Sequence, residues 1–174
     1  MSERKKLATV WLDGCSGCHM SILDMDMRLI ELLQQVDLVY SPLVDHKEFP
    51  EHVDITLVEG AVSSEADLHK IHLVRSKTKT LVSLGDCAVT ASLPSMRNPI
   101  GVNAVLDRVA AGKTPKQPAE VPLLCSAARP VHSFVEVDLF VPGCPPSADT
   151  IYFVLQELLA GRHPDVSTLT RFGA

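Results

Sequence analysis

Two kinds of hydrophobic pattern alternate along the chain, and each predicts a different element. Short runs of apolar and β-branched residues are typical of strands, because such residues suit the faces of a buried sheet. The first run, from Leu7 to Leu12, has no consistently polar side and predicts a strand that is buried on both faces. Altogether the pattern predicts strands at residues 7–12, 37–40, 53–58, 80–84 and 135–141.

Longer segments between these runs repeat their apolar residues at three- and four-residue steps. This spacing is typical of an amphipathic helix, because it places the apolar side chains on one face. The segment from Ser21 to Val36 shows it, with Asp24 and Arg28 on the opposite side. Residues 147–160 show it again and predict the last helix of the chain.

Capping residues predict where two further helices begin. Ser64 followed by Asp67 resembles a capping box with aspartate in place of the usual glutamate. Asn98 before Pro99 suits an N-cap with proline at the first helical position, and Gly112 suits the position after the last turn. We therefore expect one helix starting after Ser64 and another between Asn98 and Gly112.

The alternation of strands with helices predicts βαβ units, and hence a parallel sheet covered by helices on both faces. We expect an α/β fold, namely a flavodoxin-like doubly wound parallel sheet in three αβα layers, as a single domain over residues 1–174. Prolines exclude regular structure from the connection before the last strand, at Pro115, Pro118 and Pro122. Residues 162–174 are expected to be loose or to pack on a partner.

Composition narrows the classes of function. The 174 residues are 46% apolar, which is enough for a sizeable core. A net charge of −5 and an aromatic content of 5% give no reason to expect nucleic acid as a partner. No run of about 18 apolar residues occurs, so no direct membrane insertion is expected. Residues 1–6 are basic but lack the cleavage site of a signal peptide after them, which predicts a cytoplasmic protein with reduced thiols.

Four of the five cysteines lie directly after predicted strands. Cys15 and Cys18 follow the first strand, Cys87 follows the fourth, and Cys144 follows the last. Because the carboxyl ends of parallel strands share one edge of a sheet, thiols far apart in sequence can meet there. The fifth, Cys125, lacks this setting and is interpreted as a buried thiol.

The residues alone leave the bound metal open, because four thiolates hold either Zn²⁺ or an iron–sulfur cluster. Structural zinc sites usually pair two short Cys-x₂₋₄-Cys knuckles, whereas this chain has one pair and two isolated cysteines. Glycines beside the cysteines allow backbone N–H groups to approach cluster sulfurs, at Gly14, Gly17, Gly85 and Gly143. These features favour a cluster over zinc, and four merely buried cysteines are the third interpretation.

Four motifs together resemble the small-subunit family of nickel–iron hydrogenases: LDGCSGCHMS at residues 12–21, VEG at 58–60, GDCA at 85–88 and PGCPP at 142–146. The LDMD run at residues 23–26 is most similar to the cytoplasmic, bidirectional NAD-linked type. The resemblance implies an electron-transfer subunit of a hydrogen:NAD⁺ oxidoreductase, with no catalytic residue on this chain. It implies a single [4Fe–4S] cluster held by four cysteines, Cys15, Cys18, Cys87 and Cys144.

The resemblance also implies partner chains. A large subunit would carry the nickel–iron centre that splits hydrogen, and a diaphorase with iron–sulfur clusters and FMN would reduce NAD⁺. This chain would relay electrons between them. It shows neither a further Cys- and His-rich segment after Cys144 nor a twin-arginine signal, so no medial or distal cluster is expected here.

Two residues beside the cysteines are further candidates. In the family, a glutamate in this Glu-Gly motif lies near the cluster and the large-subunit face. Glu59 is therefore a candidate for a proton or hydrogen-bonding role, with capping of the next turn as the alternative. His19 is expected to make an interface hydrogen bond rather than to ligate, because four thiolates already fill the cluster.

Two other functions stay open at this point. One is a related iron–sulfur subunit of a membrane-bound energy-converting hydrogenase or quinone-reducing complex. The quinone-reducing subunit, however, has adjacent cysteines where this chain has Cys15-Ser16-Gly17-Cys18. The other, less favoured, is a zinc-stabilised interaction module, which would be colourless and would depend on metal for its fold.

Overall fold

A computed structural model describes residues 4–109 and 122–173 of the chain. Five of its strands form a parallel sheet and two form a small antiparallel ribbon. In chain order the strands are β1 (Lys5–Trp11), β2 (Val36–Tyr40), β3 (Val53–Glu59), β4 (Val62–Ser64), β5 (Thr78–Leu84), β6 (Leu124–Arg129) and β7 (Leu139–Val141). The order across the parallel sheet is β2-β1-β3-β5-β7, which is the flavodoxin-like order, and β4 pairs with β6.

Helices cover both faces of the parallel sheet. In chain order they are α1 (Gly17–Leu23), α2 (Met27–Gln35), α3 (Glu65–Lys77), α4 (Asp86–Thr90), α5 (Val102–Val109) and α6 (Ala148–Leu159). Helices α1, α2 and α6 pack on one face through an apolar cluster that includes Ile22, Leu32 and Ile151. Helix α3 packs on the other face through Ile71 and Val74. The predicted α/β fold with three layers is confirmed. No helix among the described residues has the length and apolar character needed to cross a membrane.

The first strand is buried on both faces, as its sequence predicts. Leu7 and Thr9 are each 4% exposed, and Ala8 and Val10 are fully covered. Leu7 joins the apolar cluster of one face, whereas Ala8 and Val10 join the cluster of the other. The strand is central because it pairs in parallel with β2 on one side and β3 on the other.

The capping box that opens α3 is confirmed. The Ser64 side chain accepts a hydrogen bond from the Asp67 backbone N–H at 3.1 Å. The Asp67 carboxylate accepts one from the Ser64 backbone N–H at 3.0 Å. Both bonds connect residues three positions apart, so the local sequence is sufficient to specify them.

The prediction of one continuous helix from Ser21 to Val36 is wrong, because the segment contains two helices. Helix α1 begins earlier, at Gly17, and the chain turns at residues 24–26, where Asp26 has a φ of 57°. Met25 within this turn is 1% exposed and fills the core between α1 and α2. The apolar spacing therefore continues through the break, and for that reason it predicted a single helix.

The predicted start of a helix at Asn98 and Pro99 is also wrong. The Asn98 side chain donates to the Ala128 carbonyl and accepts from the Ala128 N–H, each at 2.8 Å. It thereby binds the backbone of β6 instead of capping a helix. Helix α5 begins at Val102, after Gly101 with its φ of +84°. Gly112, Pro115 and Pro118 lie outside the described residues.

The last sheet strand is shorter than predicted, and one pair of strands was not predicted. Strand β7 covers Leu139–Val141, whereas Val135 and Val137 pack against the core without belonging to a strand. The antiparallel β4–β6 pair aligns Val62 with Arg129. Residues of this pair are too far apart in sequence, and β4 is too short, to give a local signal.

Candidate metal centre

Three loops that carry cysteines lie at the carboxyl edge of the parallel sheet. The register aligns Trp11 with Glu59, Glu59 with Leu84, and Leu84 with Val141, so the four strands end side by side. The loop after β1 leads into α1 and carries two cysteines, the loop after β5 leads into α4 and carries one, and the loop after β7 carries one. The topology thus brings together Cys15, Cys18, Cys87 and Cys144.

The loops are in close contact, and glycines make that contact possible. A Cβ atom added at Gly85 would lie 2.3 Å from the sulfur of Cys18 and 3.5 Å from the carbonyl oxygen of Gly143. One added at Gly17 would lie 3.2 Å from the sulfur of Cys15. Side chains at these positions would occupy the space beside the thiols. The glycine signal in the sequence therefore corresponds to a physical cradle for sulfur atoms.

The four thiols are close enough for the charge of one to affect the pKa of another. Burial is the largest cause that raises the pKa of Cys18, followed by the charges of Glu59 and of the other three cysteines. Burial likewise raises the pKa of Cys87 to about 11, with further contributions from Cys144 and Cys15. Thiolates placed in this way disfavour one another unless positive charge lies among them. The donor set therefore fits a cationic group such as the iron atoms of a cluster.

A single zinc ion and an iron–sulfur cluster require different arrangements of their four cysteine ligands. Among residues 4–109 and 122–173, no three His, Cys, Asp or Glu side chains form a group that could hold one metal ion. A tetrahedral zinc needs all four sulfurs at about 2.3 Å from one point. A [4Fe–4S] cluster is held by four cysteines that each bind a different iron, so its ligands lie around a larger group.

Glu59 and His19 form a buried pair beside these loops, and each is about 3% exposed. One carboxylate oxygen of Glu59 accepts a hydrogen bond from the His19 backbone N–H at 3.0 Å and lies 2.5 Å from the ring Nδ1. The ring Nε2 lies 3.0 Å from the hydroxyl of Thr9, which donates to the hydroxyl of Ser41 at 2.8 Å. Both ring nitrogens of His19 thus bond within this chain, whereas the sequence predicted an interface hydrogen bond.

The pair fixes the first helix to the sheet. Glu59 ends β3, and His19 follows Cys18 in the first turn of α1. The carboxylate therefore holds the part of α1 that carries one of the candidate ligands. Thr9, within β1, and Ser41, just after β2, were not recognised from the sequence, because a single hydroxyl residue carries no distinctive signal.

Replacing Glu59 with alanine is expected to lower the free energy of unfolding by about 3 kcal/mol. The change leaves the buried N–H donors of His19 without a partner, and such orphaned groups are costly. Glu51→Ala is the matched control, because the Glu51 carboxylate also contacts a basic side chain, Lys77 at 2.8 Å, but is 65% exposed. Urea unfolding of the two variants and the parent chain measures both changes. Equal losses in the two variants would contradict the role of the pair.

The fifth cysteine lies apart from the other four. Cys125 is in β6, and the charges that act on it come from Asp67, Arg97 and Glu65. Burial is the largest cause that raises its pKa. The side chain is only half-buried, so its interpretation as a buried thiol is correct in part.

One further residue at the site was not recognised from the sequence. Asp86, between Gly85 and Cys87, is 2% exposed, and its carboxylate accepts a hydrogen bond from the Gly143 N–H at 2.7 Å. The available signal was an acidic residue next to a candidate ligand at a strand end. That signal was not used, because nothing local identifies the partner of a carboxylate.

The chain matches a known protein family over most of its length. Residues 15–158 match the family described as NADH ubiquinone oxidoreductase, 20 Kd subunit. The NAD-reducing hydrogenase HoxS subunit delta of Cupriavidus necator is 38% identical, over 96% of this chain and 85% of that protein. A subunit of the vhu hydrogenase of Methanocaldococcus jannaschii is 36% identical over 94% of this chain, which spans only 59% of that relative.

Solved structures show the same fold. A crystal structure of an NAD⁺-reducing [NiFe]-hydrogenase in the H₂-reduced state contains a chain that superposes with a TM-score of 0.91. The identity is 36%, and the match covers 98% of this chain and 99% of that chain. A [NiFeSe] hydrogenase from Desulfovibrio vulgaris Hildenborough matches with a TM-score of 0.58 at 18% identity, over 91% of this chain and 60% of that chain. The latter likeness concerns the fold alone.

Proposed function

We propose that this chain, which belongs to the family described as NADH ubiquinone oxidoreductase, 20 Kd subunit, is the electron-transfer small subunit of an NAD-linked nickel–iron hydrogenase. Hydrogenase subunits are similar to it over nearly its whole length. The observation that carries the proposal is the meeting of four cysteines from three loops at one edge of the sheet, with glycine cradles beside two of the sulfurs. Neither feature depends on the resemblance.

Four cysteines would hold the cofactor: Cys15, Cys18, Cys87 and Cys144. When bound, a [4Fe–4S] cluster supplies reversible one-electron transfer. The chain's own residues provide the setting. Cys18 is 8% exposed and belongs to the apolar cluster of the core, which keeps water from that side of the site. Glu59 and His19 hold the start of α1 against the sheet.

An exposed apolar surface follows Cys87 and is the proposed face for the large subunit. Leu93 is 58% exposed, Met96 is 68% exposed and Ile100 is 61% exposed. Leu93 also lies beside the candidate ligand, since a backbone hydrogen bond from it lowers the pKa of Cys87 against the effect of burial. Clustered apolar side chains at the surface mark protein interfaces. A partner bound here would approach the cofactor directly.

The remaining partners follow from the proposed assembly. A large subunit would carry the nickel–iron centre, and a diaphorase with iron–sulfur clusters and FMN would exchange electrons with NAD⁺ in the cytoplasm. The alternative, a subunit of a membrane-bound energy-converting or quinone-reducing complex, has less support. Two of the matched proteins come from NAD-reducing hydrogenases. They are the HoxS subunit delta, of which 85% is matched, and the chain in the solved structure, of which 99% is matched.

Metal analysis of the anaerobically purified complex tests the proposal. We expect about four iron and four sulfide per copy of this chain beyond those of the partner subunits, and a broad visible absorption that is lost on reduction. Zinc without sulfide would contradict a cluster and support the interaction module. Co-purification with membrane subunits, in place of a diaphorase, would support the alternative complex.

A further inference from the structure

A buried carboxylate connects the two loops that carry single cysteines. Asp86 and Gly143 bond each other twice, since the Asp86 N–H donates to the Gly143 carbonyl at 2.9 Å and the Gly143 N–H donates to the Asp86 carboxylate at 2.7 Å. Asp86 precedes Cys87, and Gly143 precedes Cys144. The reciprocal pair therefore joins the backbones directly next to two candidate ligands.

The same carboxylate binds a third segment. Its second oxygen accepts a hydrogen bond from the Gly173 N–H at 2.8 Å. Residues 166–173 lie across the loop after β7, where the Thr170 hydroxyl donates to the Pro142 carbonyl. A hydroxyl of α6 holds the segment too, because Thr150 donates to the Leu169 carbonyl at 3.2 Å. Both carboxylate oxygens of Asp86 thus serve backbone amides from distant parts of the chain.

Little room exists for these loops to rearrange. Gly143 has a φ of +132°, and a Cβ there would lie 2.8 Å from Pro146 and 3.0 Å from the Thr170 hydroxyl. The loop is therefore confined between Pro146 and residues 166–173. These close contacts restrict the position of the loop after β7, and the bonds from Asp86 hold the loop in that position.

We propose that Asp86 is a positioning residue that fixes Cys87 relative to Cys144 and fastens residues 166–173 as a strap over the loop that carries Cys144. The proposal rests on the proposed function for its cofactor, but the geometry of the three segments stands by itself. Asp86 does not bind the cluster. It acts through the backbone, and loss of its bonds would let the two ligands separate and the strap open.

Asp86→Asn tests the role with little change in size. An amide has one acceptor oxygen, so its NH₂ group would face one of the two backbone N–H donors and that bond would be lost. Asp138→Asn is the matched control. The Asp138 carboxylate also accepts a backbone N–H, from Leu81 within β5 at 2.7 Å, and it pairs with Arg75. Asp138 lies just before β7, at the end of that strand away from the cysteine loops.

Three measurements on the purified complex compare these variants with the parent. For Asp86→Asn we expect release of iron to an added chelator to become roughly tenfold faster or more, a change equivalent to one lost charge-assisted hydrogen bond. We also expect an altered electron paramagnetic resonance spectrum of the reduced cluster, and faster amide exchange in residues 169–173. Asp138→Asn should resemble the parent in all three.

A second variant keeps the test decisive if Asp86→Asn fails to fold. Thr170→Val removes only the hydroxyl that binds Pro142, and it should speed iron release and amide exchange relative to the control Asp138→Asn. Equal behaviour of the Asp86 and Asp138 variants, or of Thr170→Val and Asp138→Asn, would overturn the positioning role. If the parent complex lacks a cluster in this chain, the proposed function fails, and amide exchange alone decides whether Asp86 holds the strap.

Discussion

Gly85→Ala is expected to yield a folded chain that contains almost no cluster. The added Cβ would lie 2.3 Å from the sulfur of Cys18, a distance at which atoms overlap. Cys18 is 8% exposed and packs in the core, so moving its side chain would disturb its apolar neighbours. The backbone of Gly85, with φ 80° and ψ 160°, also lies in a region that is essentially restricted to glycine. Iron and sulfide per chain are the measurement.

Gly161→Ala is the matched control for this variant. Gly161 also has a positive φ, of +76°, but a Cβ there would meet no atom within 4 Å. It therefore carries backbone strain without a collision at the metal centre. We expect Gly161→Ala to retain the parent's iron and to lose only stability. Retention of full iron by Gly85→Ala would show that Cys18 does not hold the cofactor in the arrangement described here.

Cys87→Ser is expected to abolish hydrogen-dependent reduction of NAD⁺. The hydroxyl of serine replaces the sulfur ligand of a cluster poorly, so iron would be lost or the cluster would be altered. NADH oxidation by the flavin of the proposed diaphorase should remain largely intact, because that reaction needs no electrons from this chain. The two activities are measured on the same preparation, and the iron content of the complex is measured beside them.

Cys125→Ser provides the comparison for that substitution. Cys125 is a half-buried thiol in β6, and the charges around it come from Asp67, Arg97 and Glu65. We expect this variant to retain both activities and all the iron of the parent. Loss of the hydrogen-dependent reaction in both cysteine variants would indicate general damage to the fold. Its retention in Cys87→Ser would contradict the assignment of this ligand.

Local features of the chain were predictable from the sequence. The capping box of Ser64 and Asp67 is present, because its two bonds connect residues three positions apart. The first strand is buried on both faces, because the run from Leu7 to Val10 is uncharged and contains the β-branched residues Thr9 and Val10, which suit a buried sheet. Alternation of strands and helices was sufficient to predict the parallel sheet, since βαβ units have few stable arrangements.

Features that depend on distant partners were predicted wrongly or not at all. Asn98 has the sequence of an N-cap, but its amide binds Ala128, which lies thirty residues further along the chain. Met25 continues a helical spacing through a turn, because the core requires an apolar residue there whatever the local backbone. In each case a tertiary contact replaced the local preference.

The candidate site, too, has some features that the sequence predicted and others that only the structure showed. The order of the residues is enough to place four cysteines at strand ends, and parallel strands suffice to predict that these cysteines lie at one edge of the sheet. The folded structure was needed to see that Gly85 provides the space for the sulfur of Cys18 and that Asp86 joins Gly143 to Gly173. The ends of strands follow from the local pattern of apolar and polar residues. Atomic contacts between the loops depend instead on the register of the strands and on residues that are far apart in sequence, such as Asp86 and Gly173, which are separated by 87 positions.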